Sequence, residues 1–192
     1  SEVWGTIRTG AGTDAFPSTA TTTFWQIIAT ATTDQWSRLA RSIFLYDTSP
    51  IGGGSTIDSA THEPYSTQLQ TAYGQGWRFT TSTPASDTNL VAGDYGQLGT
   101  AANAPDAASG SHTNNAYNLV TLNATGRSNI SLSGISRFGI ISVGDGDNAA
   151  PVWASLQDDD NRGDYAEGTN DPRLIVTYTP GGNQLNLTSK YW

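Results

Sequence analysis

Strand-length apolar runs recur along this 192-residue chain, and each is closed by Gly, Pro, Asn, Asp or Ser. VWGTI (3–7) precedes the loop RTGAGTDAFPST, and TTTFWQIIATA (21–31) is rich in β-branched residues. WSRLARSIFLYD (36–47) ends at the turn TSPIGGG, and STIDSAT (55–61) and GWRFTT (76–81) follow. YNLVTLNA (117–124), SRFGIISV (136–143), PVWASL (151–156) and RLIVTYT (173–179) complete the series. About nine strands within one domain is the pattern of an antiparallel sandwich. Long amphipathic helices need Glu and Lys in quantity; charged residues are only 14% here, against 21 Gly and 8 Pro. Two short helical turns are expected, over 89–99 and 125–134. Between them, residues 100–116 form a loop of small and polar residues, and loops that long are usually functional or mobile.

Within 36–47, Leu39, Arg41, Ile43 and Leu45 share one face and Ala40, Ser42, Phe44 and Tyr46 the other. Both faces are apolar from Ile43 to Tyr46, which predicts one central strand covered on both sides at that end, with Arg38 and Arg41 near its exposed end. Arg41 is placed to pair with Asp47. Asp47, Thr48 and Ser49 can turn side-chain oxygens onto nearby backbone N–H groups, and Gly52–Gly54 admit positive φ.

The formal net charge of −8 repels phosphate backbones, and the nine Lys and Arg are scattered, so nucleic acid is excluded as a partner. No stretch approaches eighteen apolar residues, so membrane insertion by a helix is excluded as well. No cysteine is present, hence no disulfide framework.

Three acidic features invite chemistry. SLQDDDNRGDYAEG (155–168) and DGDN (145–148) lack the alternate ligands, central Gly and terminal Glu of an EF-hand loop. Asp145, Asp147, Asp158 and Asp160 are nonetheless the candidates for a structural calcium; the competing reading is a solvated acidic turn. No cofactor is required. Catalysis by two carboxylates needs a pair in a cleft with one pKa raised, and contiguous aspartates in a turn do not supply it. His62 and His112 accompany no nucleophile elbow and read as surface residues, so no catalytic residue is assigned and the chain is not expected to be an enzyme. Arg162-Gly163-Asp164 is too short a motif to carry adhesion, and the acceptor patterns at Asn123, Asn129 and Asn186 arise freely in a Ser/Thr-rich chain. Of the six tryptophans, most belong in a core. A glycan site, if built, would use Trp77 with Arg78, Tyr95 and Trp153, each beside a loop.

After Pro180 the chain reads GGNQLNLTSKYW, with Leu185 and Leu187 alternating against Asn186 and Thr188 before Tyr191 and Trp192. Such a segment either folds back on its own sandwich or docks on a neighbouring subunit through Leu185, Leu187, Tyr191 and Trp192. Ordering it costs about 1–2 kcal/mol per residue, so it needs a partner surface.

The string RSIFLYDTSPIGGGSTIDSAT resembles the hallmark of DNRLRE-type jelly-roll domains, through Arg41, Tyr46, Asp47, Thr48, Ser49, Thr56, Ile57, Ser59, Ala60 and Thr61. TPASDTNLVAGDYGQLGT (83–100), AYNLVTLNATGRSNISLSGISRFGI (116–140) and TNDPRLIVTYT (169–179) follow in the family's order. The departure is HEPYSTQLQTAYGQG (62–76), where Pro64 forbids a regular central strand and predicts one that is shortened, bulged or at an edge. The resemblance implies an all-β, antiparallel jelly-roll β-sandwich of about 8–10 strands over 1–180, with 181–192 as an extension. Such domains are carbohydrate-binding-like modules of secreted enzymes, cell-surface proteins and virion or tail proteins. The stretch Ile7–Thr13 is most similar to environmental phage and bacterial sequences. Together with the tail, this predicts a non-catalytic structural or adhesion module, extracellular or on a virion surface, that assembles as a homo-oligomer or with partner subunits. The alternative is an independent carbohydrate-binding module.

Overall fold

A computed structural model describes residues 1–16, 22–164 and 169–182. It is an all-β sandwich of eleven strands in three antiparallel sheets, slightly more than the 8–10 expected. The strands are β1 (Thr22–Ala29), β2 (Trp36–Ala40), β3 (Ser42–Asp47), β4 (Thr56–Glu63), β5 (Tyr65–Thr71), β6 (Trp77–Thr81), β7 (Ala116–Tyr117), β8 (Val120–Thr121), β9 (Ile135–Ser142), β10 (Asp158–Gly163) and β11 (Arg173–Thr179). Three helices of one to two turns, α1 (Trp4–Thr9), α2 (Ala124–Ser128) and α3 (Val143–Gly146), join 3-10 turns at Ser49–Ile51 and Ala92–Gly96. The two helical turns expected from the sequence are thus the Ala92–Gly96 turn and α2. The N-terminal run 3–7 is helix α1, not a strand: Thr6 and Ile7 donate to the Val3 carbonyl, and Trp4 packs edge-on against Trp36 at 5.5 Å.

One layer is the five-stranded sheet β2-β1-β10-β5-β7. The other holds the sheets β3-β9-β6 and β11-β4-β8. Asn103 links β6 to the N-terminal end of α2, its N–H donating to Phe79 O at 2.8 Å and its carbonyl accepting from Asn123 N at 2.9 Å. Twice the chain changes layer without a loop. The run 36–47 is not one strand: it breaks at Arg41 into β2 and β3, which lie in different sheets. Pro64 makes the same break between β4 and β5. Proline cannot donate to a ladder, so it stands at the corner, its carbonyl accepting from Asn118 N. Beyond it β5 pairs with β10 through a bulge, within the segment that departs from the family pattern.

Two further expectations are corrected. PVWASL is not a strand: Pro151 lacks a donor, and Leu156 takes φ 56°, outside the extended region. The run 117–124 yields only β7 and β8, because the Asn118 amide folds onto Thr113 and Ala116 and interrupts pairing. The turn after β3 behaves as its residues dictate. Ser49 N donates to Asp47 Oδ1 at 3.0 Å, and Gly52 and Gly54 both take φ 82°.

The core is a chain of rings running through both layers. Phe24 meets Phe44 at 5.6 Å, Phe44 meets His62 at 4.9 Å, His62 stacks on Phe79 at 4.3 Å, and Phe79 stacks on Phe138 at 4.8 Å. Against expectation, His62 is fully buried in the middle of this stack. Its Nδ1 is 3.0 Å from the Tyr46 hydroxyl, and burial pushes its pKa down to about 3, so the ring is neutral. Gly163 closes the sheet beside it: a Cβ there would stand 2.0 Å from the Phe24 ring. Alanine at 163 would therefore displace the ring or the strand.

The buried His62 sets an acid limit on stability. The unfolded chain protonates this ring near its ordinary pKa of about 6.5, whereas the native state does so only near 3. His62 thus carries no penalty above pH 6.5, and stability falls as pH drops from 6.5 towards 3. Between pH 7 and pH 5 the loss from this residue is about 2 kcal/mol. Urea unfolding of His62→Phe should lose about 2 kcal/mol less than the parent over that interval. An identical pH dependence in both proteins would refute this assignment.

Candidate functional site

The aspartate run is the centre of a sheet, not a turn. Asp158–Gly163 is β10, flanked by β1 and β5, and Asp159, Asp160 and Asn161 are buried. Alternation sends its side chains to two faces. Asp159 and Asn161 lie on the face of Trp25 and Ile27, towards the core. Asp158, Asp160 and Arg162 lie on the face of Gln26, away from it.

On the core side the Asp159 carboxylate accepts from Tyr73 N at 2.6 Å and Gln75 N at 3.1 Å, holding the turn between β5 and β6. Burial raises its pKa, and these amide donors oppose the rise. Asn161 Nδ2 contacts His112 Nδ1, and the His112 ring packs 4.7 Å from Trp77. His112 is therefore not a surface histidine; burial takes its pKa down to about 4. On the opposite face, Gln26 Nε2 reaches both Asp158 oxygens at 3.3 Å, and Arg162 Nε donates to Asp160 at 2.6 Å. Burial first, and then the neighbouring Asp160 charge, raises the Asp158 pKa. Asp160 Oδ1 is buried without a hydrogen-bond partner among the described residues.

A second polar cluster gathers at the first layer switch. Arg41 grips Asp145 in α3 with two bonds, Nε to Oδ2 at 2.7 Å and Nη2 to Oδ1 at 2.8 Å. It also donates to the carbonyls of Tyr95 and Arg8 at 2.7 and 2.8 Å, and lies 4.0 Å over the Tyr95 ring. Arg8 Nε donates to Asp145 O at 2.6 Å, and the Tyr95 hydroxyl donates to Ile7 O at 2.7 Å. Burial drives the Tyr95 pKa well up, so the hydroxyl stays protonated as a donor. The expected Arg41–Asp47 pair is replaced by this network, because the break at residue 41 turns the guanidinium towards α3. Two residues further on, at the C-cap of α3, Asp147 meets Arg78 at 2.9 Å, and Arg78 also holds Asp106 with two bonds of 2.9 and 2.7 Å.

Of the glycan candidates, Arg78 and Tyr95 are thus tied down around α3, together with the calcium candidates Asp147 and Asp145. Asp158 and Asp160 belong to the distant strand β10 and engage Gln26 and Arg162. Among the described residues no three His, Asp or Glu side chains converge to hold a metal ion. Trp153 is partly buried against the core, and Trp77 is 3% exposed. Leu185, Leu187, Tyr191 and Trp192 lie outside the described residues.

Sequence reading missed the concavities of the surface. A cleft of about 390 Å³ lies beneath the 105–121 loop, lined by Trp77, Pro105, Ala108, His112, Leu119 and Thr121. His112 Nε2, Trp77 Nε1 and Asn161 Oδ1 are buried around it without partners among the described residues. The low-complexity loop was the available signal. Its partner strand was hidden, since DDDNRG shows no apolar period. No helix among the described residues is long and apolar enough to cross a membrane.

Removing the acid at 145 should be severe. In Asp145→Asn the Arg41 charge stays buried without its counter-ion, which costs about 3–5 kcal/mol. The exposed pair Arg137–Asp87, bonded at 2.7 Å, serves as the control: Asp87→Asn should leave the urea midpoint where it is. Similar midpoints for both variants would show that the Arg41 network does not hold the layers.

No protein-family profile, curated protein or solved structure matches the chain.

Proposed function

We propose that this chain is a non-catalytic structural or adhesion module of an external assembly: a virion decoration, tail or fibre component, or a cell-surface protein, joined to other subunits. One observation carries the reading. The side chains best suited to chemistry act as internal struts: Asp145 is gripped by Arg41, Asp159 holds a turn by two backbone amides, and His62 is neutral in the aromatic stack. A catalytic group needs access to its substrate, and all three of these are buried. The resemblance to DNRLRE-type jelly rolls supports an extracellular or virion-surface setting.

The cleft beside Trp77 and His112 favours one alternative, a carbohydrate-binding module. It would take a neutral glycan, since no charged side chain among the described residues lines it. Light scattering on the full chain across a concentration series separates the two readings. Assembly predicts a mass of two or more copies and a glycan array without signal. A monomer at every concentration that binds a neutral polysaccharide would overturn the structural reading in favour of the alternative.

A further inference from the structure

Strand β11 has β4 on one flank and no strand on the other among the described residues. An edge of this kind exposes a row of backbone donors and acceptors, and proteins usually blunt it with Pro, Lys or inward charge. The run RLIVTYT carries none of these along its middle; its one charge, Arg173, sits at the end and pairs with Glu63. Burial along the strand is incomplete. Opposite Leu174 and Val176 on β4 stand His62 and Ala60, which are fully buried, yet Leu174 and Val176 themselves are only half-buried against the core. Ile175, on the other face, is 49% exposed. Among the described residues the core-facing row therefore ends at β11 with no strand beyond it.

Residues 183–188, NQLNLT, have the period-2 alternation that such a strand needs, with Leu185 and Leu187 on one side. The direction of the chain decides which edge they can reach. Thr179 stands opposite Thr56, and Gly181 stays against the β4 side, its N–H donating to Ser55 Oγ at 3.2 Å. A Cβ on Gly181 would stand 2.3 Å from the Gly54 carbonyl carbon, so the two backbones are in contact. The chain thus runs on past the end of β11 along its occupied flank, and by Gly181 it has not begun the reversal that would bring it onto its own open flank. Strand β3 also has one open flank, but it begins at the Arg41 bend and ends in the exposed Asp47.

We infer that the open edge of β11 receives residues 183–188 of a second copy of this chain as an added strand, Leu185 and Leu187 extending the row of Leu174 and Val176. Reciprocal exchange gives a closed two-fold dimer in which each tail completes its partner's sheet. The inference rests on the assembly reading and supplies its contact.

The chain has no cysteine, which makes cross-linking selective. Ile175→Cys and Asn186→Cys, made in separate preparations, place thiols on the outward face of strand and tail. After mixing and mild oxidation, a disulfide-linked species of twice the chain mass is expected on a non-reducing gel. A chain ending at Gly182 should lose the dimer in light scattering while keeping its far-UV circular dichroism. A double variant that closes only within single chains would place the tail on its own edge and overturn the inference, as would the absence of any cross-link, with Thr188→Cys tried as the alternative register. If the shortened chain assembles as the full chain does, the inference falls and the assembly reading stands. If the full chain is monomeric throughout, both fall.

Discussion

The two-bond grip of Arg41 on Asp145 is the interaction on which the rest of the architecture leans. It lies where the chain leaves the five-stranded sheet and enters the opposite layer, with the two side chains only 9% and 2% exposed. A guanidinium buried without a planar acid partner would carry a large desolvation cost, so the corner at residue 41 and the helical turn at 143–146 depend on each other. The remaining donors of Arg41 reach the Tyr95 and Arg8 carbonyls, which brings α1 and the Ala92–Gly96 turn to the same point. Four pieces of irregular chain thereby acquire fixed positions from one side chain. The second corner, at Pro64, works by subtraction: a missing donor ends one ladder, and the next begins with Tyr65.

The interior is more polar than a sandwich core needs for burial alone. His62, Asp159, Asp160 and Asn161 are all essentially inaccessible, and several of their atoms lack partners among the described residues. Each costs stability relative to an apolar side chain unless a hydrogen bond offsets the desolvation. Asp159 shows what the cost accomplishes. Two backbone amides of the turn before β6 converge on its carboxylate, so a loop that lacks a ladder of its own is held to the central strand. Asn161 and His112 tie the long 100–116 loop to the same strand, one position further along each time the pleat returns to that face. On its core face the central strand is polar because Asp159 and Asn161 organise loops.

That arrangement explains where the sequence was readable. The apolar runs around Phe24, Phe44, Phe79, Phe138 and Val176 each became a strand, since alternation and β-branching report directly on burial. The Asp47–Ser49 turn and the glycines after it were legible because their geometry follows from the side chains themselves. Residues 158–163 were not. Their burial comes from contacts with Tyr73, Gln75, His112 and Gln26, all remote in sequence, and no local pattern distinguishes a buried DDDN from a solvated one. The same holds for Arg41, whose partner lies 104 residues away. VWGTI failed differently: its strand propensity gives way to a short helix whose Trp4 packs edge-on against Trp36.

How the edges are treated gives the molecule its polarity. On the five-stranded sheet, β2 is met by Glu2, which exchanges two backbone bonds of 2.9 Å with Trp36, and the far edge strand β7 is two residues long. In the other layer β6 is covered by the chain at 99–107, through Gly99, Asn103 and Ala107 donating to Thr81, Phe79 and Trp77. Short strands and covering loops are the usual protections against edge-to-edge pairing. They guard both edges of the five-stranded sheet and one edge of the other layer, while β11 keeps seven residues with no strand on one flank among the described residues and an incompletely buried row. A long edge of this kind can be closed by something extended, and the physical requirement on that partner is only a strand with apolar residues at alternate positions.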